Sequence, residues 1–589
     1  MVLTPRADAF RPQVGETAAA DLAWIRDALS LDVCRPGDRL ADLGLTSIRA
    51  AGLSAALVAG GHPVSVREVL RCATVADLCA LATSKRAAAQ VAPAAVGGER
   101  ALATAPFPFT LTQRFWQAAG CLTHYNVCGC WRFDLDAPPG APGALDLTVM
   151  ERAIALAWRT TPELRLRIHW GEAGLRQRYA DASAAPMIER LRPGAADPVA
   201  RVHEAQLHLA DLQHEFRFDE AEPLVRFVAA MPVEQGKGWF FVLAHHYLAD
   251  GFGFRNLLNR LSAAYRAVGS EEEGGMPAPA HTGRDWALRM ERYVTEEAHA
   301  ELPIWSALPW RDIAPLTTDA DVRGARLAPP PDLFDEEKAA RLHAIRGTAS
   351  GPSEPGLYRS QALAVARLDA KATILLLERR WPDRRIIDFD LVTAAVAEAL
   401  APRARGAVLW VDGVSSGRTG VFDEIDAAGC IGYTAELCPQ AVPFRPVGSV
   451  AGTLAAAAAA RAALPRGGVG FRALKAAAAR EGAGHALAAA HGWPDPEVGI
   501  NYRAPLQYGL TRGLLNLEPV SHWLGEEMDE RGVPYLLWYR ISFSRDELDI
   551  ALRYSPVHFD HASGVSIVTA TRDALARMIR QLAGTGAKP

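Results

Sequence analysis

An excess of charge of either sign is missing from this chain: 63 Lys and Arg stand against 67 Asp and Glu among 589 residues, a net of -4 with histidine neutral. Such a balance gives no overall electrostatic drive toward nucleic acid or an anionic membrane. Cysteine is sparse as well. The 8 cysteines are scattered, with no CxxC pair and no zinc-like spacing, so no metal site is expected and reduced thiols in a cytosolic protein are the simplest reading. Long apolar runs are absent too. The most uniform stretch, Ala455 to Ala460, is alanine with Arg461 directly after it, too short and too weakly apolar to span a bilayer. The opening MVLTPRADAFRPQ has no basic segment followed by an apolar one, so the expectation is a soluble cytoplasmic protein with neither nucleic acid nor membrane as partner.

What is present is the composition of a globular protein, 49% hydrophobic and 22% charged, with length for several cores. Residues 19–83 form a block of helical patterns. AADLAWIRDALS reads as a first helix, and Leu53 and Leu57 repeat at helical spacing after Ile48 until Gly60-Gly61 ends the pattern. Ser65 can cap a short third helix, and Thr74 with Asp77 can cap the last, TVADLCALA. A small four-helix bundle is expected. Residues 84–106, rich in Ala, Pro and Gly, read as a linker. From 107 to 589 strand-like and helical runs alternate, with a break near GSEEEGGMPAPAH, which predicts an α/β block of two lobes, about 107–275 and 276–589.

Within the small block Ser47 stands where a loop meets a helical pattern, LADLGLTSIRAAGL. A serine there can simply cap the helix. The segment, set between helices of this order, resembles the attachment region of acyl, aryl and peptidyl carrier proteins, closest to the aryl-carrier form GLDSIR. The resemblance implies that Ser47 carries a covalent 4′-phosphopantetheine installed by a phosphopantetheinyl transferase. A phosphodiester at a helix N-terminus would meet the positive end of the helix dipole. Thr46 stands where the family usually has Asp.

The large block contains WFFVLAHHYLADGFGFRNLL. Trp239 to Ala244 suit a strand buried on both faces. Adjacent strand residues point to opposite faces, so His245 and His246 are not expected to line one cavity. HHYLADG resembles the HHxxxDG motif of nonribosomal peptide synthetase condensation domains, relatives of chloramphenicol acetyltransferase. By that resemblance His246 is the catalytic histidine, His245 supports it from the other face, Asp250 forms a structural ion pair and Gly251 lets the chain turn. A neutral imidazole there could take a proton from an attacking amine.

Further segments follow in the family's order: FTLTQRFW with Tyr125-Asn126, TPELRLRIHW containing Arg165, GRDWALRMER, SGRTG containing Arg418, CIGYTAELCP and VGINYR. Arg165 and Arg418 are the site arginines that the resemblance implies, and a buried Asp250 needs a cation. Arg418 is the first choice to reach it. YLLWYRISFS and ELDIALRYS suit a closing hairpin.

The resemblance implies a two-lobed α/β condensation domain of chloramphenicol acetyltransferase-like lobes behind a carrier. The acyl or aminoacyl thioester on Ser47 would be transferred to an amine, forming an amide in natural-product biosynthesis. The chain contains no recognisable adenylation domain, second carrier or GxSxG thioesterase, so a separate adenylation enzyme is expected to load the carrier. The acceptor would be a free amine or a group on another carrier. An alcohol acceptor, giving an ester, is a variant. A carrier–epimerase pairing is the alternative; epimerisation domains typically have Ser-Trp where this chain has Gly253-Phe254. A non-catalytic tethering module is disfavoured by the intact histidines, aspartate and glycine.

Overall fold

The structure, a computed structural model, describes residues 34–585, leaving out chiefly 92–104, 270–278, 320–360, 379–385, 504–513, 521–533 and scattered positions between 41 and 65. In the small block it describes α1 (Val66–Arg71) and α2 (Val75–Val91). Thr74 N–H donates to Asp77 at 2.9 Å and Asp77 N–H to Thr74 Oγ1 at 3.2 Å, the reciprocal cap that starts α2. Leu53 and Leu57 are buried together with Val69, Val75 and Leu78. The expected first helix, Ser65 and Ser47 lie outside the described residues. Helix α2 does not stop at Thr83 but runs on to Val91, into the segment expected to be linker. The reason is local: SKRAAAQV contains neither glycine nor proline and is rich in alanine.

The large block opens with α3 (Leu111–Ala118), held by a capping box between Thr110 and Gln113. Then come β1 (Asn126–Asp134), α4 (Leu147–Thr160), β2 (Leu166–Gly171), β3 (Gly174–Tyr179), β4 (Ile188–Leu191), α5 (Pro198–Gln213), β5 (Val225–Glu234), β6 (Lys237–His245) and α6 (Gly251–Gly269). After α7 (Gly283–Arg292) follow β7 (Ala362–Leu368), α8 (Asp388–Leu400), β8 (Val408–Ser415), β9 (Glu436–Pro443), α9 (Gly470–Ala478), β10 (Val498–Tyr502), β11 (Glu518–Pro519), β12 (Leu537–Ser544), β13 (Glu547–Tyr554) and α10 (His561–Thr585).

These elements make two α/β lobes. The first holds a sheet of order β11-β1-β6-β5-β4 and the second a sheet of order β7-β13-β12-β10-β8-β9. The apolar run of β6 lies mid-sheet, antiparallel to β1 and β5, and Trp239 to Ala244 are all buried. β12 and β13 form the expected hairpin, with Leu537 opposite Tyr554. Each lobe has its own apolar core, and a third cluster around Trp286, Trp305, Trp410 and Phe471 joins α7 to α9. Sequence order does not divide the lobes cleanly. β11 leaves the second lobe and pairs with β1 through Trp131–Pro519 and Arg132–Glu518, covering backbone groups that an edge strand would otherwise expose.

Candidate active site

The two histidines part because the strand ends between them. His245 is the last residue of β6, opposite Asn126 in the β1 register. It is fully buried, its Nδ1 accepts the Tyr247 N–H at 3.1 Å, and Phe216, Phe218 and Tyr247 surround its ring. His246 is already in the turn and partly exposed. Its N–H donates to Tyr125 O at 2.7 Å, and its imidazole stacks on the Tyr125 ring with centroids 4.4 Å apart. Tyr433 of the second lobe stands 5.6 Å from the same imidazole. Strand parity therefore gave the right separation for an incomplete reason: a turn, not the pleat, aims His246.

Asp250 links the lobes. Its Oδ1 accepts the Gly253 N–H at 2.7 Å, capping α6. Its Oδ2 accepts from Arg418 Nη1 at 2.8 Å, Thr434 N–H at 2.9 Å and Ala435 N–H at 2.8 Å. Burial alone would raise this carboxyl, but the Arg418 charge and these hydrogen bonds outweigh it and hold it below its ordinary value. Arg418 also donates to the carbonyls of Ser416, Cys430 and Gly432. The guanidinium thus fixes the loop from Cys430 to Ala435, which carries Tyr433 to His246.

Two expected site residues are placed differently. Arg165 does not meet Asp250. It donates to the carbonyls of Trp158 and Ala180, tying the end of α4 to the end of β3, so it braces backbone within the first lobe. Gly251 is the first residue of α6 and is not among the glycines with positive φ. The restrictive glycine is Gly253, where a Cβ would lie 1.9 Å from Ile431 O.

Sequence reasoning passed over Thr112, Gln113, Glu163 and Glu436. Gln113 donates to Tyr247 O at 3.1 Å, and Thr112 Oγ1 donates to Glu436 at 2.7 Å while accepting the Leu437 N–H at 3.1 Å. Helix α3 therefore ties the histidine loop to the start of β9. Burial pushes the Glu436 carboxyl up to about 7, opposed by the Thr112 and Trp286 hydrogen bonds. The signal available in sequence was a lone acid within each apolar stretch, PEL and AEL.

The small block touches this site. Ala428 is buried within its core, and Asn256 of α6 donates to Ala428 O at 2.7 Å and Cys430 O at 2.8 Å. Residues 22–82 match the phosphopantetheine attachment site family, and residues 115–306 match the condensation domain family. The chain joins a phosphopantetheine carrier to a condensation domain. Its carrier is of the kind to which 4′-phosphopantetheine is covalently attached. Leu45, whose N–H donates to Leu40 O, and Ala50, already helical, flank residues 46–49 of the attachment segment. Ser47 falls in that interval outside the described residues, and its hydroxyl is the chemistry a phosphodiester requires.

Among curated relatives, a linear gramicidin synthase polypeptide of Brevibacillus parabrevis is 22% identical over 442 residues, 74% of this chain and 5% of that protein. Enterobactin synthase component F of Shigella flexneri is 29% identical over 153 residues, 26% of this chain and 11% of that protein. The chain thus spans a small fraction of the length of these relatives. Among solved structures, the epimerization domain from the third module of tyrocidine synthetase B superposes with a TM-score of 0.62 at 16% identity, over 82% of this chain and 98% of that one. The first condensation domain of the calcium-dependent antibiotic synthetase gives 0.53 at 17%, over 82% and 98%. These likenesses establish the condensation-domain fold. A condensation domain implies transferase-type chemistry, and among the described residues no helix is long and apolar enough to cross a membrane.

Proposed function

We propose that this carrier–condensation chain transfers an acyl or aminoacyl group from the Ser47 arm to an amine, forming an amide. The observation that carries the reading is the convergence of His246 with both lobes while the carrier rests on the loop that leads to Tyr433. The arm supplies a thiol that holds the acyl group as a thioester. His246, partly exposed and oriented by Tyr125, takes a proton from the amine as its nitrogen bonds to the acyl carbon. His246 would return that proton to the sulfur as the acyl group leaves it, so that the imidazole ends neutral. His245 and Asp250 hold the loop and do not touch substrate. Arg418 holds Asp250. A transferase installs the arm, a separate adenylation enzyme loads it, and the acceptor is a free amine or a group on another carrier.

Epimerisation is the second reading, because the tyrocidine epimerization domain superposes with a TM-score of 0.62. Gly253 supports condensation instead, since the serine typical of epimerisation domains would place its Cβ 1.9 Å from Ile431 O. The test is intact-mass analysis after treatment with coenzyme A and a broad-specificity transferase, followed by single-turnover assays with amines. One pantetheine is expected on the native chain and none on Ser47→Ala. His246→Ala is expected to load normally and lose about a hundredfold to ten-thousandfold in amide formation. Near-native turnover by His246→Ala would overturn the proposal, and α-proton exchange without condensation would favour epimerisation.

A further inference from the structure

Glu163 follows a proline and precedes a leucine in the single helical turn, Pro162–Arg165, that joins α4 to β2. Its residue is 1% exposed, and neither carboxyl oxygen has a partner of hydrogen-bonding geometry among the described residues. The polar groups that face it are its own backbone N–H, the Ile431 N–H and the Arg260 guanidinium, with Asp285 as a like charge. Arg260 is already committed to Thr161 Oγ1 at 2.6 Å and Thr160 O at 3.2 Å. Burial holds the carboxyl above its ordinary range. An apolar residue would pack here without the cost of burying a carboxyl, which the Ile431 N–H and Arg260 only partly offset, so the acid has acceptor capacity for a ligand.

The carboxyl lines a cavity of about 10 Å³, room for one water-sized group, shared with Tyr179, Tyr247, Gly283, Gly432 and Tyr433. Gly283 and Gly432 meet so closely that a Cβ on Gly432 would lie 2.5 Å from Gly283 Cα. Tyr247 adjoins His246 in sequence, and Tyr433 spans from the cavity to within 5.6 Å of the His246 imidazole. Three tyrosines and one carboxyl around a water-sized space can receive an ammonium, whose N–H groups the carboxylate and phenol oxygens can accept.

We infer that Glu163 is a specificity-determining residue, which receives the terminal ammonium of a substrate whose reacting end lies at His246. The cavity takes only the tip of that substrate. The ammonium could end the acyl group on the carrier or the acceptor amine, and the two sources are separable. This inference rests on the condensation reading for its link to turnover, but not for binding.

The test uses the full chain loaded, through a broad-specificity transferase, from hexanoyl- or aminohexanoyl-coenzyme A, with amylamine or cadaverine as acceptor. Each pair differs by one terminal amine. Native protein is expected to favour the amine-bearing member of one pair by about tenfold or more in kcat/KM. In Glu163→Gln and Glu163→Leu that preference is expected to fall to within about twofold, while Glu163→Leu melts no lower than native protein. An acyl-side preference assigns the donor and a cadaverine preference the acceptor. Equal rates within both pairs for native protein, or an unchanged preference in both variants, would overturn the inference. If no pair turns over, binding decides alone: thermal stabilisation by cadaverine, or by the aminohexanoyl over the hexanoyl load, that Glu163→Gln abolishes supports the pocket, and the absence of both in native protein refutes it.

Discussion

Replacing Asp250 by alanine removes a carboxylate that accepts hydrogen bonds from both lobes. In the Asp250–Arg418 pair the side chains are 3% and 0% exposed, so solvent screening gives little relief. Leaving a buried guanidinium without its carboxylate costs about 3–5 kcal/mol, and the N–H groups of Gly253, Thr434 and Ala435 lose their acceptor as well. Asp250→Ala is therefore expected to lose about 4 kcal/mol or more. Arg418→Met should lose about 3 kcal/mol, because three backbone donors still serve the carboxylate. The double variant leaves no unpaired charge, so it should lose less than the sum by about 2 kcal/mol. Urea unfolding followed by tryptophan fluorescence measures this from midpoints at constant slope. Losses that add to within about 0.5 kcal/mol would refute the coupling. The pair has a pH signature too. Asp250 is depressed when folded, so its contribution is fully present above the unfolded value of about 3.9 and is lost as pH falls through the lower folded value.

Glu436 behaves in the opposite sense. Its folded carboxyl is raised from 4.5 to about 7, so between those values the unfolded chain releases a proton that the folded chain keeps. Stability should fall by about 3 kcal/mol over that interval, and Glu436→Gln should flatten the fall; an equal pH dependence in native and variant chains counts against it. Gly253→Ser forces a Cβ toward Ile431 O and should cost about 1–3 kcal/mol and displace the loop carrying Tyr433. Unchanged melting and turnover in that variant would contradict the close approach. His245→Ala empties a fully buried site and should lower stability by about 2–4 kcal/mol, whereas His246→Ala, partly exposed, should melt close to native; similar losses in both would contradict the division of roles.

Local pattern determined much of this protein. The apolar run of β6 fixed a mid-sheet strand, the Thr74–Asp77 spacing fixed the cap of α2, and HHYLADG placed two histidines and an aspartate at the end of a strand. These features are readable because residues close in sequence create them through alternation, capping and chain reversal. Tertiary structure decided what each side chain meets. Arg418, the first choice, reaches Asp250 across 168 residues, while Arg165, the other arginine that the resemblance implied, spends its guanidinium on nearby carbonyls. Glu163 and Glu436 look like ordinary acids in sequence. They acquire their chemistry where the two lobes meet over them and exclude water, because desolvation and partnership depend on neighbours that the local chain does not specify.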